Sequence, residues 1–372
     1  MTIDICERRL RADNMNKDIK IDLDNHVKRI IKYHFNKETG TPYWIKFADK
    51  MGIDPINEIT RYEDLSLLGL LNDEDLRHIP VEEFTPKARL DFEKYSPHVY
   101  ETGGTSGIPK RIMDTAHQEE NALWIVDILK YHGFSQKGKW LNLFPSGPHA
   151  VSLLTYTIAR KRGEIFYSID IDPRWVKLLI SKKKSEITEM YIDHIIDQAI
   201  NILKSQDITY LFITPKLLES LILKFDLSTT NIKGIVCGGT QITSDFYKFV
   251  KTEALPGIDF CALYGNTLMG VAPQVPTEFL SNNALPWSVN YYSYFPHFMI
   301  EVVDKDNPSK KVDYGMEGRV KITVLNKDIF IPGLLERDVG IRVKPSGIFK
   351  WDGISNVGCY KAMESSVIEG VY

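Results

Sequence analysis

Residues 102–110 read Thr102-Gly103-Gly104-Thr105-Ser106-Gly107-Ile108-Pro109-Lys110, and almost nothing in these positions can build a core. The glycines let backbone N–H groups turn inward on an anion. The hydroxyls of Thr102, Thr105 and Ser106 can donate to phosphate oxygens. Pro109 stiffens the exit, and Lys110 ends the stretch with a mobile positive charge. This is the composition of a polyphosphate cradle, and equally that of a flexible surface turn. It is not the P-loop, because G-x-x-x-x-G-K-[ST] is absent.

Downstream the pattern becomes regular. Ala116 to His132 reads as a helix stopped by Gly133, and Trp140 to Phe144 as a buried strand. Val151, Leu154 and Ile158 mark a helix that Gly163 ends; Ile165 to Ile169 is the next strand. Ile192, Ile195, Ile196, Ala199 and Leu203 share one face of a long helix. After a strand at Ile208 to Ile213, Thr214 caps and Pro215 opens a helix burying Leu217, Leu218 and Leu221. Ile235 and Val236 lead into Gly238-Gly239, a helix follows around Phe246 to Val250, and Phe260 to Leu263 is a short strand. Strands alternating with helices predict an α/β fold with a parallel sheet covered on both faces. Ligands in such folds lie beyond the carboxyl ends of strands. Three turns occupy that position: Gly147 to His149, Gly238 to Thr240, and Tyr264 to Thr267.

Residues 1–98 read as a helical, irregular cap on the main fold, residues 99–287 as the α/β body, and residues 288–372 as a β-rich subdomain. In the last part, β-branched stretches such as Phe298 to Val303 and Arg319 to Val324 are separated by polar turns. The aromatic-rich run from Trp287 to Phe298 suits either the wall of a flat pocket or the core of that subdomain.

In 372 residues, 26% are charged and 43% hydrophobic, the balance of a globular protein. A net charge of −3 argues against nucleic-acid binding. No apolar run is long enough for a membrane span, and the charged N-terminus lacks a signal-peptide core, so a cytoplasmic enzyme is expected. The cysteines at 6, 237, 261 and 359 have no metal-ligand spacing, and neither a disulfide framework nor a protein metal site is expected.

The stretch TGGTSGIPK resembles the phosphate-binding signature of the adenylate-forming enzymes, the superfamily of acyl-CoA synthetases, peptide-synthetase adenylation domains and luciferases. Four further stretches resemble its motifs in order. Ser146-Gly147-Pro148-His149 matches the place where a His or aromatic residue lines the acyl pocket; a lone His after a strand is otherwise a helix cap or a loop residue. Cys237-Gly238-Gly239-Thr240 resembles the turn whose backbone lies along one face of adenine. Tyr264-Gly265-Asn266-Thr267 resembles Y-G-x-T, which implies that the Tyr264 ring covers the other face and Thr267 reaches the α-phosphate; an ordinary core aromatic is the alternative for Tyr264. Glu336-Arg337-Asp338-Val339-Gly340, preceded by a G-x-x-G segment at Gly315, resembles the motif whose Asp takes both ribose hydroxyls; the alternative is a surface acid paired with Arg337.

The resemblance implies the N-terminal-domain fold of the superfamily, parallel αβα sheets plus a small β-rich subdomain. It makes Thr102, Thr105, Lys110 and Thr267 the catalytic set. ATP is the implied cofactor, with Mg²⁺ carried on its phosphates and AMP as product. Among relatives, the compact aryl-acid activators are most similar: the phenylacetate-CoA-ligase-like proteins and, more narrowly, the adenylating components of phenazine-antibiotic biosynthesis. That comparison implies an aromatic, phenazine-type acid and a nicotinamide-dependent reductase as partner. Two departures stand out. Leu268 occupies the place of a metal-binding Glu, so weaker metal binding is expected. The chain ends at Tyr372 with no sign of the mobile C-terminal domain and its lysine, which is expected to be absent. Two other outcomes stay open: acyl transfer to a thiol, whether coenzyme A, a carrier protein or Cys359 itself, and an adenylate-binding protein without catalysis.

Overall fold

The computed structural model describes residues 2–104, 107–280 and 287–360, with side chains from residue 18. The described ends of the glycine stretch belong to a hairpin. Strands β1 (His98–Glu101) and β2 (Arg111–Asp114) pair antiparallel, with Glu101 opposite Arg111. Neither strand has the apolar alternation that announces a strand in sequence.

The body is built on β3 (Lys139–Leu143), β4 (Ile165–Ser168), β5 (Tyr210–Ile213), β6 (Gly234–Gly238), β7 (Asp259–Asn266) and β8 (Gly270–Pro273), in the spatial order β4-β3-β5-β6-β7-β8. The first five are parallel, as the sequence predicts. β8 turns back antiparallel on β7. The expected end of β7 at Leu263 is corrected here: the strand continues through Tyr264, Gly265 and Asn266. Gly265 permits the pairing, because a Cβ there would lie 2.1 Å from the Gly270 carbonyl oxygen.

Side chains alternate across this sheet and divide the core in two. Trp140, Tyr210, Phe212, Val236 and Leu263 pack with Ile125, Leu129, Leu154 and Ile158 of the helices His117–Tyr131 and Ala150–Arg162. Leu141, Leu211, Ile213 and Ile235 belong to the opposite cluster, with Ile195, Ile196, Leu217 and Leu221 of the helices Ser185–Ser205 and Pro215–Lys224. Thr214 caps the latter helix as expected, accepting from Leu217 N.

A second, antiparallel sheet follows: β9 (Asn290–Tyr292), β10 (Phe298–Val303), β11 (Glu317–Leu325), β12 (Phe330–Val343) and β13 (Gly353–Cys359), ordered β10-β11-β12-β13-β9. Of the two readings of the 287–298 aromatics, core is the correct one for Tyr291, Tyr292 and Phe298, which are buried. The N-terminal segment fastens onto the β11–β12 end of this sheet through backbone carbonyls. His26 Nε2 and His34 Nε2 lie 2.7 Å from the Leu325 and Asn326 oxygens, and Trp44 Nε1 donates to Phe330 O at 3.0 Å. Asp328, in the turn between β11 and β12, ties the two sheets together. Its carboxylate accepts from Thr115 Oγ1 (2.6 Å), Ala116 N (2.7 Å) and His117 N (2.9 Å), capping the helix His117–Tyr131. No helix among the described residues is long and apolar enough to cross a membrane.

Candidate active site

A cavity of about 320 Å³ opens where the carboxyl ends of β3, β6 and β7 meet the β1–β2 turn. Thr102, Gly103, Gly104 and Lys110 line it from the turn, His149 from beyond β3, and Gly238 and Gly239 from the end of β6. Gly265 and Asn266 line it from the end of β7, Thr267 from just beyond it, and Glu336 and Arg337 from β12. Twelve residues from five separate stretches quoted in the sequence therefore share one cavity. Tyr264 and Asp338 sit beside it as a pair, the Tyr264 hydroxyl donating to Asp338 Oδ2 at 2.8 Å. Gly107, Gly147 and Thr240 belong to the adjoining turns and are not among the lining residues. Thr105 and Ser106 lie outside the described residues.

The hairpin turn is clipped at its base. Thr102 N donates to Lys110 O and Lys110 N donates to Thr102 Oγ1, both at 3.0 Å, which leaves the Thr102 hydroxyl proton available to a ligand. Two cations that carry no motif brace the turn from outside. Lys177 Nζ donates to Gly103 O at 3.2 Å, and the Arg77 guanidinium donates to Ile108 O. Lys110 Nζ lies 2.6 Å from Asp73 Oδ2. Lys177 comes from the helix Pro173–Ser181, absent from the sequence reading although Asp172 caps it and Pro173 opens it.

Arg77, Lys110, Lys177 and Arg337 give the lining four cations against one carboxylate, Glu336. The electrostatics follow. Burial, then the charges of Arg337 and Arg174, lower the Lys177 ammonium to about 8. Burial, then Arg174 and Lys177, lower His149 to about 4, so its imidazole is neutral at pH 7. Desolvation raises Glu336 against the opposing charge of Lys110, and raises Asp338 against the Tyr264 hydrogen bond and Arg337.

Asn266 does a structural task. Its Oδ1 accepts from Leu268 N (2.9 Å) and Met269 N (3.0 Å), shaping the β7–β8 turn, and its Nδ2 donates to Glu336 Oε1 at 2.9 Å. Leu268 is buried in the core. Among the described residues no group of three or more His, Cys, Asp or Glu is arranged to hold a metal. Cys359, at the end of β13, stands opposite Asp338 in the strand register.

No family model matches the chain, and no curated protein matches it in sequence. Solved structures do match. 2-Hydroxyisobutyryl-CoA ligase with 2-HIB-AMP and CoA, in its thioesterification state, superposes with a TM-score of 0.67 at 14% identity, over 92% of this chain and 69% of that one. Its open conformation, with the same two ligands, gives 0.62 at 14% identity, over 87% and 70%. Its postadenylation state with 2-HIB-AMP gives 0.64 at 13% identity, over 90% and 66%. The chain thus spans about two thirds of those chains' length. Its fold, a parallel α/β body with a β-rich part, is that of the adenylate-forming enzymes, as the sequence predicts.

Proposed function

We propose that this protein activates a carboxylic acid as its acyl-adenylate, consuming ATP and releasing pyrophosphate. The observation that carries the reading is the convergence of the glycine turn, Lys110, Gly238-Gly239 and Thr267 on one cation-lined cavity. The carboxylate oxygen attacks the α-phosphorus. An O–P bond forms, the bond from Pα to the bridging oxygen breaks, and pyrophosphate leaves with that electron pair. Thr102, Gly103, Gly104, Thr105, Ser106, Gly107 and Lys110 hold the departing phosphates. Thr267 contacts the α-phosphate. Gly238, Gly239, Thr240 and Tyr264 flank adenine, with Asp338 on the ribose. Gly147 and His149 border the acid. Such a reaction is accelerated by positioning and by charge placed in advance.

Mg²⁺ takes one or two carboxylates together with substrate phosphates. Glu336, the carboxylate in the lining, fits that need where Leu268 does not, and the metal would supply charge neutralisation on the phosphates. Phe144, Leu154, Leu263 and Val271 offer an apolar wall to the body of the acid. The specific form of the reading is an aromatic, phenazine-type acid whose adenylate a nicotinamide-dependent reductase consumes, hydride replacing AMP to give an aldehyde.

Acid-dependent ATP–pyrophosphate exchange is the deciding measurement. Exchange with at least one member of a panel of aromatic and aliphatic acids is expected. ATP or AMP binding without exchange for any acid would overturn the reading in favour of a non-catalytic binder. The position of Cys359 beside Asp338 favours one further reading, transfer of the acyl group to that thiol. It requires a thioester adduct in the intact mass after turnover.

The Lys177 ammonium gives a pH prediction. Its folded pKa is lowered to about 8, so the cation is present below that pH and lost above it. The value of kcat/KM for ATP is expected to fall on the alkaline side with an apparent pKa near 8, since kcat/KM reports the free enzyme. In Lys177→Arg the guanidinium stays charged, and that limb moves out of range. An unmoved limb would assign the titration to another group.

A further inference from the structure

Gln118 brings a buried, unanswered amide donor to the cavity wall. It is 2% exposed, and among the described residues its side-chain Nε2 has no hydrogen-bond partner. Yet the residue lines the cavity, as do Phe144, Val151, Leu154 and Val271. Its position is held from both sides. One residue earlier, the His117 ring lies between Asn326 Nδ2 (3.0 Å) and Met269 O (3.2 Å). Three residues later, Asn121 exchanges two bonds with the β8 backbone: Val271 N donates to its Oδ1 at 2.9 Å and its Nδ2 donates to Val271 O at 3.1 Å. Gln118 N itself donates to Asp114 Oδ2 at 3.1 Å. Those bonds fix the first turns of the helix and with them the backbone that carries Gln118.

We infer that Gln118 is a specificity-determining residue, whose amide N–H reads a hydrogen-bond acceptor on the body of the acid, away from the carboxylate that is activated. The acceptor is a keto or ether oxygen or a ring nitrogen. The inference rests on the adenylation reading and adds to it the class of acid. In the ligand-free protein Nε2 is already unanswered. An apolar body leaves the donor bare, whereas an acceptor at that point supplies the missing bond. Sites built on a buried polar group reject analogues lacking its partner far more strongly than apolar walls reject a change of size.

The test uses the whole chain, as wild type and as Gln118→Met, a near-isosteric change that removes the amide. The acids are matched pairs: pyridine carboxylates against benzoate, and 4-acetylbenzoate against 4-isopropenylbenzoate. In ATP–pyrophosphate exchange the wild type is expected to favour the acceptor-bearing member of a pair by about tenfold to hundredfold in kcat/KM, a ratio that falls to within about twofold in the variant. Absence of any preference in the wild type, or its survival in Gln118→Met, overturns the inference. A change confined to KM for ATP also overturns it, by assigning Gln118 to the nucleotide. If no acid supports exchange, the adenylation reading fails separately. Calorimetric affinities of the same pairs then decide the role of Gln118 by the same two ratios. Ligand-free Gln118→Met is expected to melt no lower than the wild type, since it removes an unsatisfied donor. A clear drop would make the residue structural and overturn the inference.

Discussion

Replacing Lys110 by methionine is expected to lower kcat/KM for acid-dependent exchange by about 10²- to 10³-fold, the size of loss seen when a preorganised charge or donor is taken from a transition state. The ammonium closes the glycine turn at the cavity wall, and it is held 2.6 Å from Asp73. Burial raises the Asp73 carboxyl, but the hydrogen bond and charge of Lys110, with Arg77 and Arg337, outweigh it and leave Asp73 below its ordinary value. Asp73 is therefore ionised at neutral pH and holds Lys110 in the ion pair. Asp73→Asn separates the charge of Lys110 from its ion pair. This variant keeps the ammonium and removes its protein partner, so its loss in exchange is expected to stay within about tenfold, as for a partly exposed pair. Equal losses in the two variants would mean that Lys110 shapes the turn through its ion pair, and that its charge on the phosphates matters little.

What the sequence made legible was local, or repeated along the chain. Gly133, Gly163 and Thr214 mark helix ends whatever surrounds them, and short apolar runs between helices point to a parallel sheet. Candidate site residues at the ends of strands were legible as neighbours for the same reason, since a parallel sheet brings all its carboxyl ends to one edge. Arg77, Lys177 and Gln118 belong to no motif. Each is an ordinary residue whose place at the cavity is decided by how distant elements pack. The same holds for the N-terminal segment, where His34 meets the Asn326 carbonyl across 292 positions. Gly265 was legible as special but for a different reason: it serves the close approach of β8, and its neighbours Tyr264 and Asn266 lie within a strand. By contrast, the helix Pro173–Ser181 was within reach, because Asp172-Pro173 has the cap-then-proline order that starts helices.

Asp328→Ala is expected to destabilise the protein by about 3–5 kcal/mol, the cost of removing one partner of a buried ion pair. Two losses combine. Arg89, itself buried, has its Nε 3.1 Å from Asp328 Oδ1 and would keep a charge whose carboxylate is gone. The N–H groups of Ala116 and His117, and the Thr115 hydroxyl, would lose their acceptor at the start of the helix His117–Tyr131. Asp328→Asn separates these contributions, since its amide oxygen can still accept from the helix while the charge on Arg89 goes unanswered. Its melting temperature is expected to fall between those of wild type and Asp328→Ala. The consequence reaches the cavity, because the uncapped turn carries His117 and Gln118, and His117 and Asn121 join the helix to Met269 and to β8. Asp328→Ala, assayed well below its melting temperature, is therefore expected to lose discrimination between acids along with stability, although Asp328 is not among the cavity's lining residues. An unchanged melting temperature would mean that Arg89 and the helix start find other partners, and that the cap does not hold the two sheets in register.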